Sequence, residues 1–233
     1  MTARQYMIES ICRQAGLCEA FGGNMKRIIS ILLLLIFVCT MITSCSKLGS
    51  RQYVLDVLDA MDKGDDERFY KLLEDKSYDI NRNPNLLIDR IVFFFPCVDN
   101  PLEKACRLER YDYVEALIDR GANLNKTCTF GALILAVDYM GSESGEKNAV
   151  AIVELLLKNG ADPDGARTET YTALENAVIK WKYKNSYQIC KLLIEHGADK
   201  SFRDEHFANR NAYEVAVESG APQEFLDLLK PDK

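Results

Sequence analysis

Histidine is almost absent from this chain: His196 and His206 are the only two among 233 residues. Histidine is the commonest metal ligand and a frequent general acid or base, so its scarcity leaves few ways to build a metal centre or a catalytic pair. No cysteine spacing matches a metal site, no serine or cysteine lies in a nucleophile motif, and no glycine-rich segment matches a phosphate-binding loop. The sequence therefore predicts a protein that is not an enzyme and has no metal or cofactor.

Basic residues are fewer than acidic ones, and the chain carries a formal net charge of −6. Proteins bind nucleic acid largely by neutralising phosphates with lysine and arginine. The acidic balance therefore argues against a nucleic-acid partner.

The longest apolar run, residues 28–42, is short compared with the roughly 20 residues that span a bilayer. It follows the basic start Met25-Lys26-Arg27 and precedes Thr43, Ser44 and Cys45, which is the order of regions in a secretory signal. Residues 42–45, Ile-Thr-Ser-Cys, resemble the bacterial lipoprotein signal. The resemblance implies removal of residues 25–44 and lipidation of Cys45, followed by a polar tether over residues 45–50. The alternative is an uncleaved transmembrane anchor, and either anchor places the rest of the chain outside the cytoplasm, in the periplasm or on the bacterial surface.

Residues 1–24 fit no targeting signal, and we expect Met25 to be the true start. A signal peptide begins at its basic region, as the chain does at Met25. Gly22-Gly23 lies just upstream, where glycine codons can reproduce a ribosome-binding sequence. The prediction is that residues 1–24 are a mis-assigned N-terminal extension and not part of the protein.

Three helical runs each end in Gly-Ala followed by Asn or Asp, at Gly121, Gly160 and Gly197. Glycine ends a helix readily because it enters the left-handed cap without a Cβ penalty, and Asn or Asp suits the turn that follows. The glycines are 39 and 37 residues apart, and such a period indicates stacked helical repeats.

A shorter apolar block that contains alanine precedes each of these runs, at residues 100–105, 131–136 and 172–177. These blocks resemble the Thr-Pro-Leu-His-x-Ala motif of the ankyrin repeat family. Proline remains only at Pro101, and no copy has the histidine. The resemblance implies paired helices, while the missing histidine predicts the loss of a hydrogen bond that stabilises the turn. The excess over the family's period of about 33 residues is predicted to form a loop over residues 141–146 and to lengthen the next unit.

Weaker helix pairs flank the three repeats, at residues 55–81 and 211–229, as atypical terminal repeats do in solenoids. The fold prediction is an all-α ankyrin-repeat α-solenoid over residues 51–230. It has about five stacked helix pairs, including the end caps, and is expected to be a monomer.

The cysteines after Cys45 are predicted to be reduced. Cys106 and Cys190 fall at core positions of helices, while Cys97 and Cys128 occupy equivalent positions in successive repeats. Equivalent positions are about 8–10 Å apart in packed helices, which exceeds the roughly 7 Å limit for a disulfide.

The ankyrin resemblance implies binding through the turns and the inner face of the first helices. The residues just beyond each alanine block are then the candidate partner-binding residues: Leu108, Tyr111, Tyr139, Met140, Trp181 and Tyr183. The single tryptophan lies among Lys180, Lys182 and Lys184, a basic-aromatic group that suits an acidic partner. The alternative is that Tyr139 and Trp181 cover neighbouring helices.

The apolar segment Leu86–Phe95 has two interpretations: it extends a first helix and packs on the cap, or it exposes an apolar partner site. The predicted function is a membrane-anchored lipoprotein that mediates protein–protein interaction. The alternatives are an inhibitor or immunity protein that blocks one toxin or hydrolase, and an accessory of the envelope stress response.

Overall fold

The computed structural model describes residues 49–82, 99–128, 130–138, 145–165, 172–203 and 209–231. Within these ranges the chain is all-helical and has no strand. The helices are α1 (49–63), α2 (Asp66–Glu74), α3 (Pro101–Arg107), α4 (Tyr111–Asp119), α5 (Ala132–Asp138), α6 (Gly145–Lys158), α7 (Ala173–Ile179), α8 (Ser186–Glu195), α9 (Ala212–Ser219) and α10 (Gln223–Leu229).

The helices are arranged in pairs, and like helices contact like helices in successive pairs. The first helices α3, α5, α7 and α9 contact one another in chain order. The second helices α2, α4, α6 and α8 do the same. The predicted all-α class and the helix–link–helix units are therefore confirmed, including both flanking pairs.

The first helices provide much of the core. Every residue of α5 from Ala132 to Val137 and of α7 from Ala173 to Val178 is buried. The alanines let these helices approach their neighbours closely on several sides. Cys106 and Cys190 are buried free thiols, as predicted, and burial raises the pKa of Cys190 to about 12.

The Gly-Ala-Asx sequences end their helices as predicted. Gly121, Gly160 and Gly197 have φ values of 89°, 91° and 96°, in the left-handed region that favours glycine. At the first of them, the Gly121 N–H donates to the Ile118 carbonyl at 2.9 Å and the Ala122 N–H donates to the Leu117 carbonyl at 2.9 Å. This pair of bonds is a Schellman motif, which satisfies carbonyls that the helix end leaves open.

A ladder of side-chain bonds connects the turns of successive units, and the sequence did not predict it. The Asn81 amide donates to the Gly121 carbonyl at 2.9 Å and accepts from the Asn123 N–H at 2.6 Å. Asn125 repeats both bonds one unit further along, with the Gly160 carbonyl at 3.4 Å and the Asp162 N–H at 2.8 Å. Asn81 and Asn125 each stand two positions after an Asn or Asp of their own turn, and each joins its unit to the next.

At the next junction the ladder changes chemistry, because an aspartate stands in place of the asparagine. Asp164 accepts from the Asp199 N–H at 3.0 Å. A carboxylate has no N–H to donate, so this junction lacks the amide-to-glycine bond of the two earlier junctions.

Glu103 occupies the position of the missing motif histidine and supplies hydrogen bonds to the turn. Its Oε2 accepts from the Asn100 N–H at 2.9 Å, while the Asn100 side chain accepts from the Glu103 N–H, which forms a capping box. Its Oε1 accepts from the N–H groups of Cys128 and Gly131 in the following unit, each at 2.9 Å. The prediction that the turn loses its stabilising bond is wrong here, because a fully buried carboxylate makes bonds to both units.

The structure agrees only in part with the predicted loop over residues 141–146, and it describes only one of the two cysteines Cys97 and Cys128. The expected loop over 141–146 is too long, since α6 begins at Gly145. Glutamate and lysine at the next positions favour helix, so the periodic run extends back through them. Cys128 is a free thiol, as predicted. Residues 1–45, Leu86–Phe95, Cys97, Tyr139 and Met140 lie outside the described residues.

Candidate protein-interaction surface

The link between α7 and α8 contains two of the predicted partner-binding residues and is held in one conformation by hydrogen bonds. The Tyr183 N–H donates to the Lys180 carbonyl at 2.9 Å, and the Ser186 N–H donates to the Tyr183 carbonyl at 3.1 Å. The buried Ser186 hydroxyl donates to the Ala177 carbonyl at 2.6 Å. These bonds fasten both ends of the link to the helices that it joins.

Trp181 is partly buried and packs against the core. Its indole N–H donates to the Ser219 carbonyl at the end of α9, at 3.1 Å. This contact fits the interpretation in which Trp181 covers a neighbouring helix. The indole is therefore held against the next helix pair, while the Tyr183 side chain is exposed, with 46% of its surface accessible.

The three lysines around Trp181 differ in their surroundings. Lys180 bonds to the Asp138 carboxylate at 2.5 Å and contacts the Asp138 carbonyl, so its charge is neutralised by the preceding unit. Lys182 and Lys184 are exposed and form no ion pair within the described ranges. The Lys182 ammonium lies 5.4 Å from the centroid of the Trp181 ring, within the range of a cation–π contact. The surface thus presents two lysines and one tyrosine.

Leu108 and Tyr111, which were also predicted to bind a partner, do not join this surface. Leu108 is the first residue of the α3–α4 link and Tyr111 is the first residue of α4, two units away, with the α5–α6 pair between. Leu108 is 37% exposed. Tyr111 is partly buried, and its hydroxyl lies 3.4 Å from a Glu115 carboxylate oxygen.

A second polar cluster, between α2 and α4, was not predicted. Arg110 donates to Asp112 through Nε and Nη2 at 2.8 and 2.6 Å, and Nη2 also reaches Asp66 at 3.1 Å. The guanidinium carbon lies 3.8 Å from the centroid of the Tyr113 ring, whose hydroxyl donates to Asp66. Charged and aromatic residues at the starts of both helices were the available signal, but only the packing of α2 on α4 brings them together.

The titration behaviour of this cluster follows from its contacts. Burial, followed by the bond to Asp66, raises the pKa of Tyr113 to about 12. The bond from Tyr113, followed by that from Arg110, holds the pKa of Asp66 below its usual value. Arg110 likewise lowers the pKa of Asp112. At neutral pH the tyrosine is therefore neutral and both carboxylates are ionised, a combination that stabilises the α2–α4 junction.

Arg120 strengthens the same junction from the other end of α4. Its Nε donates to the Leu73 carbonyl at 3.1 Å, and its Nη2 donates to the carbonyls of Asp75 and Tyr78, each at 2.9 Å. These carbonyls lie at and beyond the end of α2, where no backbone N–H of the helix is left to bond with them. The N-terminal pair is thus fastened to the next unit at both ends of α4.

No protein-family model matches the chain, and no curated protein matches its sequence. Within the described ranges, none of the helices has the length and apolar character needed to cross a membrane. The same residues contain no group of three His, Cys, Asp or Glu side chains placed to hold a metal ion.

Proposed function

We propose that the five helix pairs form an ankyrin-like solenoid that binds a protein partner outside the cytoplasm and is anchored to a bacterial membrane through lipid on Cys45. The observation that carries the solenoid is the stacking of like helices on like in successive pairs. The bonds that the Asn81, Asn125 and Asp164 side chains accept from the next unit's backbone support it, because this bond recurs at three successive junctions. Stacks of this kind present an extended surface that suits binding.

The ankyrin-like assignment is supported by the way in which two of the three turns replace the missing histidine, the third having Ile134 at that position. Glu103 and Glu175 both take that position, and both complete a capping box with the residue three positions earlier. The motif is thus changed in chemistry but keeps its role of bonding the turn to the first helix.

A role in binding rather than catalysis is supported by the exposed side chains at the ends of the first helices and in their links. Leu108, Tyr183 and Val217 are exposed by 37%, 46% and 51%. Tyrosine is enriched among the residues that dominate binding energy at protein interfaces, and side chains on an ordered scaffold lose little entropy when they bind.

In-cell photocrosslinking tests the binding role. A photoreactive amino acid is placed singly at Leu108, Tyr183 or Val217, and at exposed Lys71 in α2 as a control. We expect one discrete crosslinked species from at least one of the three positions and none from Lys71. The absence of such a species at all three positions would contradict the proposal.

Fractionation of cells that produce the full chain tests the anchor. Lipidation predicts recovery in membranes and labelling with a fatty-acid analogue, and Cys45→Ala abolishes the labelling. An uncleaved anchor would instead leave the wild-type chain unlabelled in membranes, with residues 28–42 retained in the isolated protein.

A further inference from the structure

The α7–α8 link is longer than the helices require. It comprises residues 180–185, whereas the α3–α4 and α9–α10 links comprise only 108–110 and 220–222. Three residues are therefore enough to join a pair of this kind. The longer link includes Lys182, Tyr183 and Lys184, which are all exposed.

The added length does not make the link loose. Bonds within the link fix Tyr183 from both sides, and the Trp181 indole is bonded to Ser219. A surface that is already ordered loses little conformational entropy when it binds.

The charge of this unit also differs from that of the rest of the protein. Residues 172–203 contain six basic and three acidic residues, whereas residues 49–82 contain six basic and nine acidic ones. Because Lys180 is neutralised by Asp138, the exposed positive charge of the link lies on Lys182 and Lys184. Complementary potential at an interface steers association and selects partners.

We propose that the α7–α8 link binds an acidic peptide segment of the partner, with carboxylates at Lys182 and Lys184 and an apolar side chain against Tyr183. This inference rests on the proposed binding function and names the chemistry of the partner. Ile179, which is 41% exposed at the end of α7, extends the apolar part of the surface. An anionic membrane is a poorer fit, because lysines contribute about 1 kcal/mol each at such surfaces and the usual clusters contain about 4–8.

The single tryptophan makes the test direct, since the emission of Trp181 reports on this surface alone. The full chain is titrated with a short Trp-free peptide of alternating glutamate and leucine, and with the same peptide carrying glutamine for glutamate. We expect a saturable change in emission with the glutamate peptide and a much weaker response with the glutamine peptide. Added salt should weaken the binding, because exposed charges are screened.

Two charge-reversal variants separate a local effect from a general one. Lys182→Glu with Lys184→Glu is expected to weaken peptide binding by about tenfold or more, since each lost pair contributes up to about 1 kcal/mol and repulsion is added. Lys71→Glu with Lys76→Glu makes the same change in net charge at exposed positions in and after α2, and should leave the affinity nearly unchanged.

Equal weakening by both variants would overturn the proposal, as would equal binding of the glutamine peptide or no binding of either peptide. Binding of vesicles of phosphatidylglycerol and phosphatidylcholine that depends on Lys182 and Lys184, without binding of the glutamate peptide, would assign the link to a lipid surface and overturn it. If a partner is crosslinked in cells but any of these results is obtained, the proposed binding function still holds. Only the proposal that the α7–α8 link binds an acidic peptide is then rejected. Loss of crosslinking at every position contradicts the function itself.

Discussion

Replacing Glu103 tests whether one buried carboxylate holds two units together. The residue is fully buried and accepts three backbone N–H groups, one from its own unit and two from the next. Alanine leaves all three donors without this acceptor. At about 1–3 kcal/mol for each buried donor that loses its partner, Glu103→Ala should reduce the free energy of unfolding by on the order of 4 kcal/mol.

Glu103→Gln is a narrower change, because glutamine keeps the shape but has a single acceptor oxygen. The glutamine oxygen can accept either the Asn100 N–H or the N–H groups of Cys128 and Gly131. The amide NH₂ then faces the remaining N–H donors, which lose their acceptor. The expected loss is about 2 kcal/mol, midway between wild type and alanine.

Glu214 provides the matched control, since it forms the same capping box with Asn211 at the start of α9. Its carboxylate accepts hydrogen bonds from the Asn211 N–H and from the exposed Arg203 guanidinium, both near its own end of the chain. Glu214→Ala should therefore cost only about 1 kcal/mol, as for an ordinary cap.

Chemical denaturation measures the difference, with far-UV circular dichroism following all helices and Trp181 fluorescence following the α7–α8 unit. Coincident transitions support a common unfolding free energy, which repeat stacks do not always have. The reasoning fails if Glu103→Ala costs no more than Glu214→Ala. It also fails if glutamine is as destabilising as alanine.

Three other changes probe the turns and the α2–α4 cluster. Asn125→Asp removes the amide donor to the Gly160 carbonyl, and should cost about 1 kcal/mol in the same denaturation experiment; an unchanged midpoint would contradict the ladder. Gly197→Ala should cost about 1–2 kcal/mol through backbone strain alone, since φ is 96° and an added Cβ meets nothing within 4 Å; a stabilised variant would refute that account. Tyr113 has a raised pKa of about 12 in the folded protein, so the native state retains its proton longer than the unfolded state does and stability should fall as pH rises from about 10 to about 12. Tyr113→Phe should flatten that part of the pH–stability curve, and an unchanged slope would show that the pKa of Tyr113 is not raised in the folded protein.

The parts of the fold that could be predicted depend on local rules. Gly160 ends α6 because a left-handed residue must follow that helix, and the Leu156 carbonyl then receives the Ala161 N–H at 3.0 Å. The apolar periodicity likewise identified both helices of each repeat. Such signals lie within a few residues of the feature they specify, so they can be recognised without knowing what packs nearby.

The candidate surface was harder to predict because its properties depend on neighbouring units. Trp181 and Tyr183 are neighbouring aromatic residues, and the sequence gives no reason to treat them differently. In the structure the Trp181 indole is bonded to Ser219, whereas Tyr183 is exposed. Lys180 and Lys182 are both lysines beside the same ring, yet only Lys180 meets an aspartate of the preceding unit.

The sequence by itself determined the repeat, the capped helix ends and an acidic chain with almost no histidine. Composition and repeat period can be recognised without knowing which residues contact one another in the folded protein. The tertiary structure decided how the units are joined. Glu103 stands where a histidine was expected, and only its burial against Cys128 and Gly131 shows that it performs a turn-stabilising role. The stacking also neutralises Lys180 and leaves Lys182 and Lys184 exposed, since a side chain's charge is available to a partner only when no neighbouring unit has already paired with it.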